Sequence, residues 1–189
     1  MRVLSYPEHA VPRELRAQMV ALQNQAWPSD GPATLAPWHD GALDPLSVLL
    51  VDDDARVLSA LDILSKPIDH AGRSFDASGI SAMVTDERRR GEGNGRALAG
   101  AALTIMREAG ADLGIFTCDR YLRVFYEGAG WEYLPGTVLV GGTPHDPIPS
   151  DRFDKVTMAS FFSAKANHAR ERFVEARVEL FPGDIDKLW

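Results

Sequence analysis

Between Val84 and Leu98 the chain reads Val-Thr-Asp-Glu-Arg-Arg-Arg-Gly-Glu-Gly-Asn-Gly-Arg-Ala-Leu, with three glycines at alternate positions between an apolar run and an amphipathic stretch. Glycines at this spacing let the backbone turn tightly and expose successive N–H groups. Those donors add to the positive end of the helix that follows, which makes an anion site. Arg88, Arg89, Arg90 and Arg96 supply guanidinium donors suited to phosphate oxygens. A pyrophosphate is the natural ligand; the plainer alternative is a flexible basic loop on an acidic protein. A dinucleotide-binding turn would read G-x-G-x-x-G directly after the first strand, whereas this G-x-G-x-G run comes late. A phosphate-binding loop of the Walker type would end in Gly-Lys-Ser/Thr, which is absent.

The segments around this loop define a mixed architecture. Leu15, Met19, Leu22 and Ala26 recur at helical spacing within Pro12 to Ala26. A loop rich in Pro, Gly and Asp runs from Trp27 to Pro45. Leu46 to Val51 and Arg56 to Leu64 predict a hairpin across Asp52-Asp53-Asp54-Ala55, the Asp triplet being a solvated turn. Phe75 to Thr85 predicts another strand. Leu98, Ala101, Ala102, Ile105 and Met106 form one face of a helix that stops near Gly110. Leu113 to Cys118 predicts a strand, Tyr121 to Glu127 a short helix, and Gly136 to Val140 and Lys155 to Phe161 two more strands. Ala164 to Leu180 fits both helix and strand periods. With 45% hydrophobic residues the chain can fill a real core, and we expect one mixed α/β (α+β) domain over residues 1–189.

Charge narrows the partners. Twenty Lys and Arg against 27 Asp and Glu leave a formal charge of −7. That balance opposes a general nucleic-acid binder and suits attraction of a cationic small molecule. No apolar run approaches the ~18 to 20 residues of a membrane span, and the first residues carry no secretory leader, so we expect a cytoplasmic protein. Cys118 is the only cysteine, which excludes an intramolecular disulfide and a Cys-based metal cluster; it reads as a buried strand residue. His9, His39, His70, His145 and His168 show no metal-ligand spacing, so no metal is expected. Trp27 and Trp38 either wall an acceptor site or cover the core.

The glycine segment resembles the acyl-CoA loop of the GNAT superfamily of N-acetyltransferases, whose signature Q/R-x-x-G-x-G/A is matched by Arg90-Gly91-Glu92-Gly93-Asn94-Gly95 and, shifted by two, by Arg88-Arg89-Arg90-Gly91-Glu92-Gly93. The later frame places Arg96, Ala97 and Leu98 where the family's helix begins. Downstream, Arg123-Val124-Phe125-Tyr126-Glu127-Gly128-Ala129-Gly130-Trp131 resembles the family's A-x-x-x-Y-x-x-x-G-F/W helix. The resemblance implies a mostly antiparallel central sheet flanked by helices and splayed where acetyl-CoA binds. It implies that Met83, Val84, Arg89, Arg90, Gly91, Gly93, Asn94, Gly95 and Arg96 hold acetyl-CoA, and that Tyr126 protonates the departing thiolate. GNAT relatives are often dimers, which makes a homodimer an expectation.

Within the superfamily the layout is most similar to aminoglycoside 2′-N-acetyltransferases, through Trp38 in the loop before the hairpin, the Ser59-Ala60-Leu61 strand, the Leu122 to Trp131 segment and Gly183-Asp184-Ile185-Asp186-Lys187-Leu188-Trp189. That likeness implies an antibiotic-resistance enzyme whose tail, residues 163–189, contributes to the acceptor site. Trp38, Asp40, Asp119, Asp154, Asp184, Asp186 and Trp189 are then the candidate acceptor contacts. Ser81 stands about where those relatives carry a glutamate that helps deprotonate the amine, and a serine is no useful base at neutral pH. Asp40, Asp76, Asp119 and Asp154 are candidates for that role. Streptothricin, a polyamine or a protein amino group are alternative acceptors, and a non-catalytic acyl-CoA sensor is the alternative to an enzyme.

Overall fold

Asp52 closes the first hairpin as its position in the sequence predicts. Its Oδ1 accepts hydrogen bonds from the Asp54 and Arg56 N–H groups at 3.0 and 2.9 Å, an Asx turn that sets the backbone without a glycine. In the computed structural model, which describes residues 1–28 and 34–189, this turn joins β2 (Leu46–Val51) to β3 (Val57–His70). β4 (Arg73–Thr85) returns along β3, and β1 (Arg2–Pro7) covers the other edge of β2. β5 (Leu113–Asp119) runs parallel to β4, and β9 (Lys155–Phe161) pairs antiparallel with β5 and carries β6 (Glu132–Leu134) at its far edge. Among the described residues these strands make a seven-stranded sheet in the order β1-β2-β3-β4-β5-β9-β6. A three-stranded sheet packs beside it, with β7 (Val138–Gly142) between β10 (Arg177–Glu179) and β8 (Pro147–Pro149).

Two helices cover opposite faces. In β2, Leu49 and Val51 belong to one cluster with Met19 and Leu22 of α1 (Arg13–Ala26), while Val48 and Leu50 belong to another with Leu98, Ala99, Ala102 and Met106 of α2 (Asn94–Glu108). Strand alternation dictates this split, because successive side chains leave a strand on opposite sides. α2 ends where expected, with Gly110 at φ +88° beyond its last turn. Behind it Phe116 meets Tyr126 and Trp131 edge-on, at 4.9 and 4.7 Å between ring centres, and the Trp131 Nε1–H donates to the Ala99 carbonyl at 3.0 Å. Each such ring contributes on the order of 2 kcal/mol by leaving water.

Four segments differ from their expected form. β1 was not anticipated: it is a six-residue edge strand, mostly exposed, without a clean apolar alternation. β3 runs past Leu64 through Pro67 to His70. Its β2 partner ends at Ile63, so Pro67 sits on a stretch whose outer side has no strand to receive an N–H. The ambiguous Ala164 to Leu180 stretch is divided between α4 (Ala164–Ala169), a 3-10 turn (Arg170–Phe173) and β10. α4 begins where the Ser163 Oγ accepts from the Ala166 N–H at 3.1 Å. The expected 121–127 helix is a 3-10 turn (Arg120–Leu122) leading into α3 (Arg123–Glu127). Among the described residues no helix is long and apolar enough to cross a membrane.

Candidate active site

The glycine loop folds as a cradle. Gly91 and Gly93 stand at φ +82° and +85°, a region costly to residues with a Cβ, and α2 starts directly after Gly93. The six N–H groups from Gly91 to Arg96 have no acceptor among the described residues. Gly95 lies where the helix meets the end of β4: a Cβ there would come within 2.7 Å of the Thr85 Oγ1 and 3.3 Å of the Met83 Cε. Arg89 pairs with Glu92 at 2.9 Å, and Asn94 bonds the Arg89 carbonyl and Glu92, both at 3.2 Å, which stiffens the loop from inside. Arg90 reaches the Thr85 carbonyl at 3.4 Å and Glu87 at 3.8 Å. Arg96 is exposed and lies over Gly128. The cradle therefore combines free N–H groups, a helix N-terminus and an exposed guanidinium, the donor set that a phosphate needs.

The sheet opens beside it. β4 and β5 pair only at Ala77–Leu113 and Ser78–Gly114 and then part. On its other edge β4 slips register against β3 between Ser81 and Val84, with Ala82 at φ +47°. A bulge of this kind kinks the strand and frees backbone groups from the ladder. The wide end of the fork is a cleft of about 710 Å³ that Met83, Val84, Arg89, Arg90, the loop glycines, Asn94, Arg96, Asp119 and Tyr126 all line. All the residues that the sequence assigned to acetyl-CoA thus meet in one cleft, with Tyr126 among them.

Tyr126 is buried except toward this cleft, its ring held edge-on by Phe116 and Phe125. Burial, reinforced by Cys118, Asp119 and Tyr121, raises its phenol well above the ordinary value, so the hydroxyl keeps its proton. Burial likewise pushes the Cys118 thiol up to about 12, which leaves it inert as a nucleophile. Asp119 ends β5 at the mouth of the cleft and is held by the Lys155 Nζ at 2.9 Å. Ser81 sits on β4 opposite Asp62 of β3.

On the α1 face the structure assembles a group that sequence reasoning missed. His39 and Asp62, both buried, meet Asp186: the His39 Nδ1 is 2.5 Å from the Asp186 Oδ1, and the His39 Nε2 is 3.2 Å from the Asp62 Oδ2, off the line of a hydrogen bond. The second Asp186 oxygen accepts from the Asp40 N–H at 3.0 Å, and the Asp62 Oδ1 from the Ser47 hydroxyl at 2.6 Å. Trp38 stacks on the His39 ring at 3.9 Å while keeping an exposed face. Asp186 is therefore committed to His39, whereas Asp184 is exposed and Asp40 half-buried next to Gly183. Asp154 is on the surface, paired with Arg120. Asp76 is exposed near the start of β4, away from the wide end of the fork. Trp189 is buried in the fork itself. Among the described residues no group of His, Cys, Asp and Glu has the arrangement of a metal site.

Burial alone would lower the His39 pKa, but the hydrogen bond to Asp186 and the charges of Asp62 and Asp186 outweigh it and raise it from 6.5 to about 9. The folded state thus holds a proton more tightly than the unfolded chain. Its stabilisation, on the order of 3 kcal/mol, is complete below pH 6.5 and is lost as pH rises to about 9. Urea titrations at steps between pH 6 and 9.5 check this; a midpoint that does not fall across the window would show that His39 is neutral in the fold.

Comparison with known proteins places the fold. A family model described as an acetyltransferase (GNAT) domain matches residues 10–134. No curated protein matches the chain by sequence. Among solved structures, the GNAT family N-acetyltransferase YhbS of Escherichia coli in complex with CoA is 20% identical with a TM-score of 0.60, over 95% of this chain and 89% of that one. An acyl-CoA N-acyltransferase from Pseudomonas aeruginosa is 16% identical with a TM-score of 0.56, over 84% and 97%. An aminoglycoside 6′-N-acetyltransferase complexed with coenzyme A is 14% identical with a TM-score of 0.55, over 86% and 98%. The family match extends from the turn before α1 to the end of β6 and so takes in the cradle, the fork and Tyr126: the chain belongs to the acetyltransferase (GNAT) family.

Proposed function

We propose that this protein transfers the acetyl group of acetyl-CoA directly to an amine of a cationic small molecule, with an aminoglycoside as the acceptor class that suits it best. One observation carries the reading: a single cleft holds the phosphate cradle, the freed edge of β4 at Met83 and Val84, and the buried hydroxyl-bearing ring of Tyr126. Backbone N–H groups at the bulge suit the thioester carbonyl, where negative charge develops during attack. Asp119, which with Glu87 brings a carboxylate to that cleft, takes the ammonium proton, through water, in place of the glutamate that Ser81 replaces. Tyr126 then protonates the CoA thiolate as it leaves.

The acceptor would lie on the α1 face, where the segment 163–189 returns to the sheet. Trp38 offers an exposed indole to a cation, and Asp40 and Asp184 offer carboxylates. The net charge of −7 favours the approach of a polycation, and one protein of the same fold is an aminoglycoside 6′-N-acetyltransferase.

Thiol release from acetyl-CoA against aminoglycosides that differ at the 2′, 3 and 6′ amines tests this. Turnover that disappears when one amine is replaced by a hydroxyl would establish both acceptor and position. Silence across the panel, with CoA binding intact by calorimetry, would remove the aminoglycoside and leave another amine or a sensor.

A further inference from the structure

Where β4 and β5 separate, the narrow end of the fork is filled. The Trp189 indole lies against Gly79, one residue past the last β4–β5 pair: a Cβ on Gly79 would overlap the indole Nε1 and come within 2.8 Å of its Cδ1. The same Nε1–H donates to the Ile115 carbonyl at 2.9 Å, a group at the fork that the parting strands leave without a β4 partner. Trp189 is only 7% exposed. It is also held from behind. The Trp189 N–H donates to the Asp186 carbonyl at 3.2 Å, the Gly142 N–H to the Lys187 carbonyl at 2.7 Å, and the Asp186 carboxylate lies between His39 and the Asp40 N–H.

We propose that Trp189 limits the length of the acyl chain the enzyme accepts, with Asp186 and His39 as the positioning residues that hold the indole in place. The inference rests on the acyl-CoA reading of the cleft. With its phosphates on the cradle at the wide end, the thioester comes to the bulge at Ala82–Val84. Atoms beyond the carbonyl continue along the fork toward Gly79, three residues and roughly 10 Å of strand away. The indole occupies the end of that path. An acetyl methyl stops short of it, whereas a decanoyl chain, longer than that path, meets a wall backed by hydrogen bonds at three successive levels of the tail. Gly79 is the complement of this wall, since any side chain there would eject the ring.

Calorimetry of the purified protein with free CoA, acetyl-CoA and decanoyl-CoA tests the wall without any acceptor. The wild type is expected to bind decanoyl-CoA at least tenfold more weakly than acetyl-CoA, and Trp189→Ala to remove that difference. Trp189→Leu, which keeps an apolar group in the fork, guards against loss of fold and is expected to narrow the difference. Asp186→Asn is expected to narrow it too while free CoA binds as before; a merely structural loss would weaken all three ligands together. Equal binding of the two acyl-CoAs by the wild type, or an unchanged preference in the Trp189 variants, overturns the proposal and leaves the acyl-CoA reading intact. Failure of the wild type to bind free CoA overturns both.

Discussion

Tyr126→Phe is expected to lower kcat by about 10²- to 10³-fold and to leave the KM for acetyl-CoA nearly unchanged. The substitution removes one oxygen and keeps the ring that Phe116 and Phe125 grip edge-on. Ground-state contacts with acetyl-CoA are therefore conserved, and only the proton delivered to the departing thiolate is lost. Because burial first, and then Cys118, Asp119 and Tyr121, keep the phenol protonated far into the alkaline range, the wild-type kcat should show no alkaline decline attributable to this residue. Steady-state thiol release with a saturating acceptor measures both constants. A variant with wild-type kcat would show that water, not Tyr126, supplies the proton. A variant whose KM rises in step with the loss of kcat would make Tyr126 a packing residue of the cleft.

His39→Ala should produce the largest loss of stability, about 3 to 5 kcal/mol, as removal of one partner from a buried ion cluster leaves the others uncompensated. Asp62 and Asp186 would face each other across a gap, each nearly without solvent. For a chain of this size that corresponds to a fall in Tm on the order of 10 °C. The variant should also move its pH response to lower pH: acid, which protonates the orphaned carboxylates, would narrow its deficit relative to the wild type. Adding Asp62→Asn and Asp186→Asn to His39→Ala should recover part of the loss, since neutral amides are cheaper to bury than charges. Equilibrium denaturation at pH 7 and pH 5 distinguishes the outcomes. A cost below about 1 kcal/mol would mean that water enters the gap and solvates the carboxylates.

The difference between what the sequence showed and what it hid follows the range of the interactions. The Asp52 turn, the Gly91 and Gly93 conformations and the stop at Gly110 each depend on residues within a few positions, so composition and spacing reveal them. The cradle and Tyr126 were legible through resemblance, because one loop and one helix carry them. The His39–Asp62–Asp186 group draws on three distant parts of the chain, and no local pattern encodes their meeting. One signal was nevertheless present. Asp62 interrupts the apolar run Val57 to Leu64, and a carboxylate on the inward side of a strand requires a partner. The place of Trp189 could not be read at all: the fork that receives it exists only once β4 and β5 have parted.

That parting has a mechanical consequence. Hydrogen bonding makes β1 to β4 one ladder and β5, β9 and β6 another, and the two ladders meet at two residue pairs. A sheet joined so narrowly is a pair of plates on a hinge, braced by α2, by Phe173 between Phe75 of β4 and Phe161 of β9, and at the crotch by the Trp189 indole. Force or thermal agitation will find that seam first, so the molecule should come apart as two cooperative halves rather than as seven strands in succession.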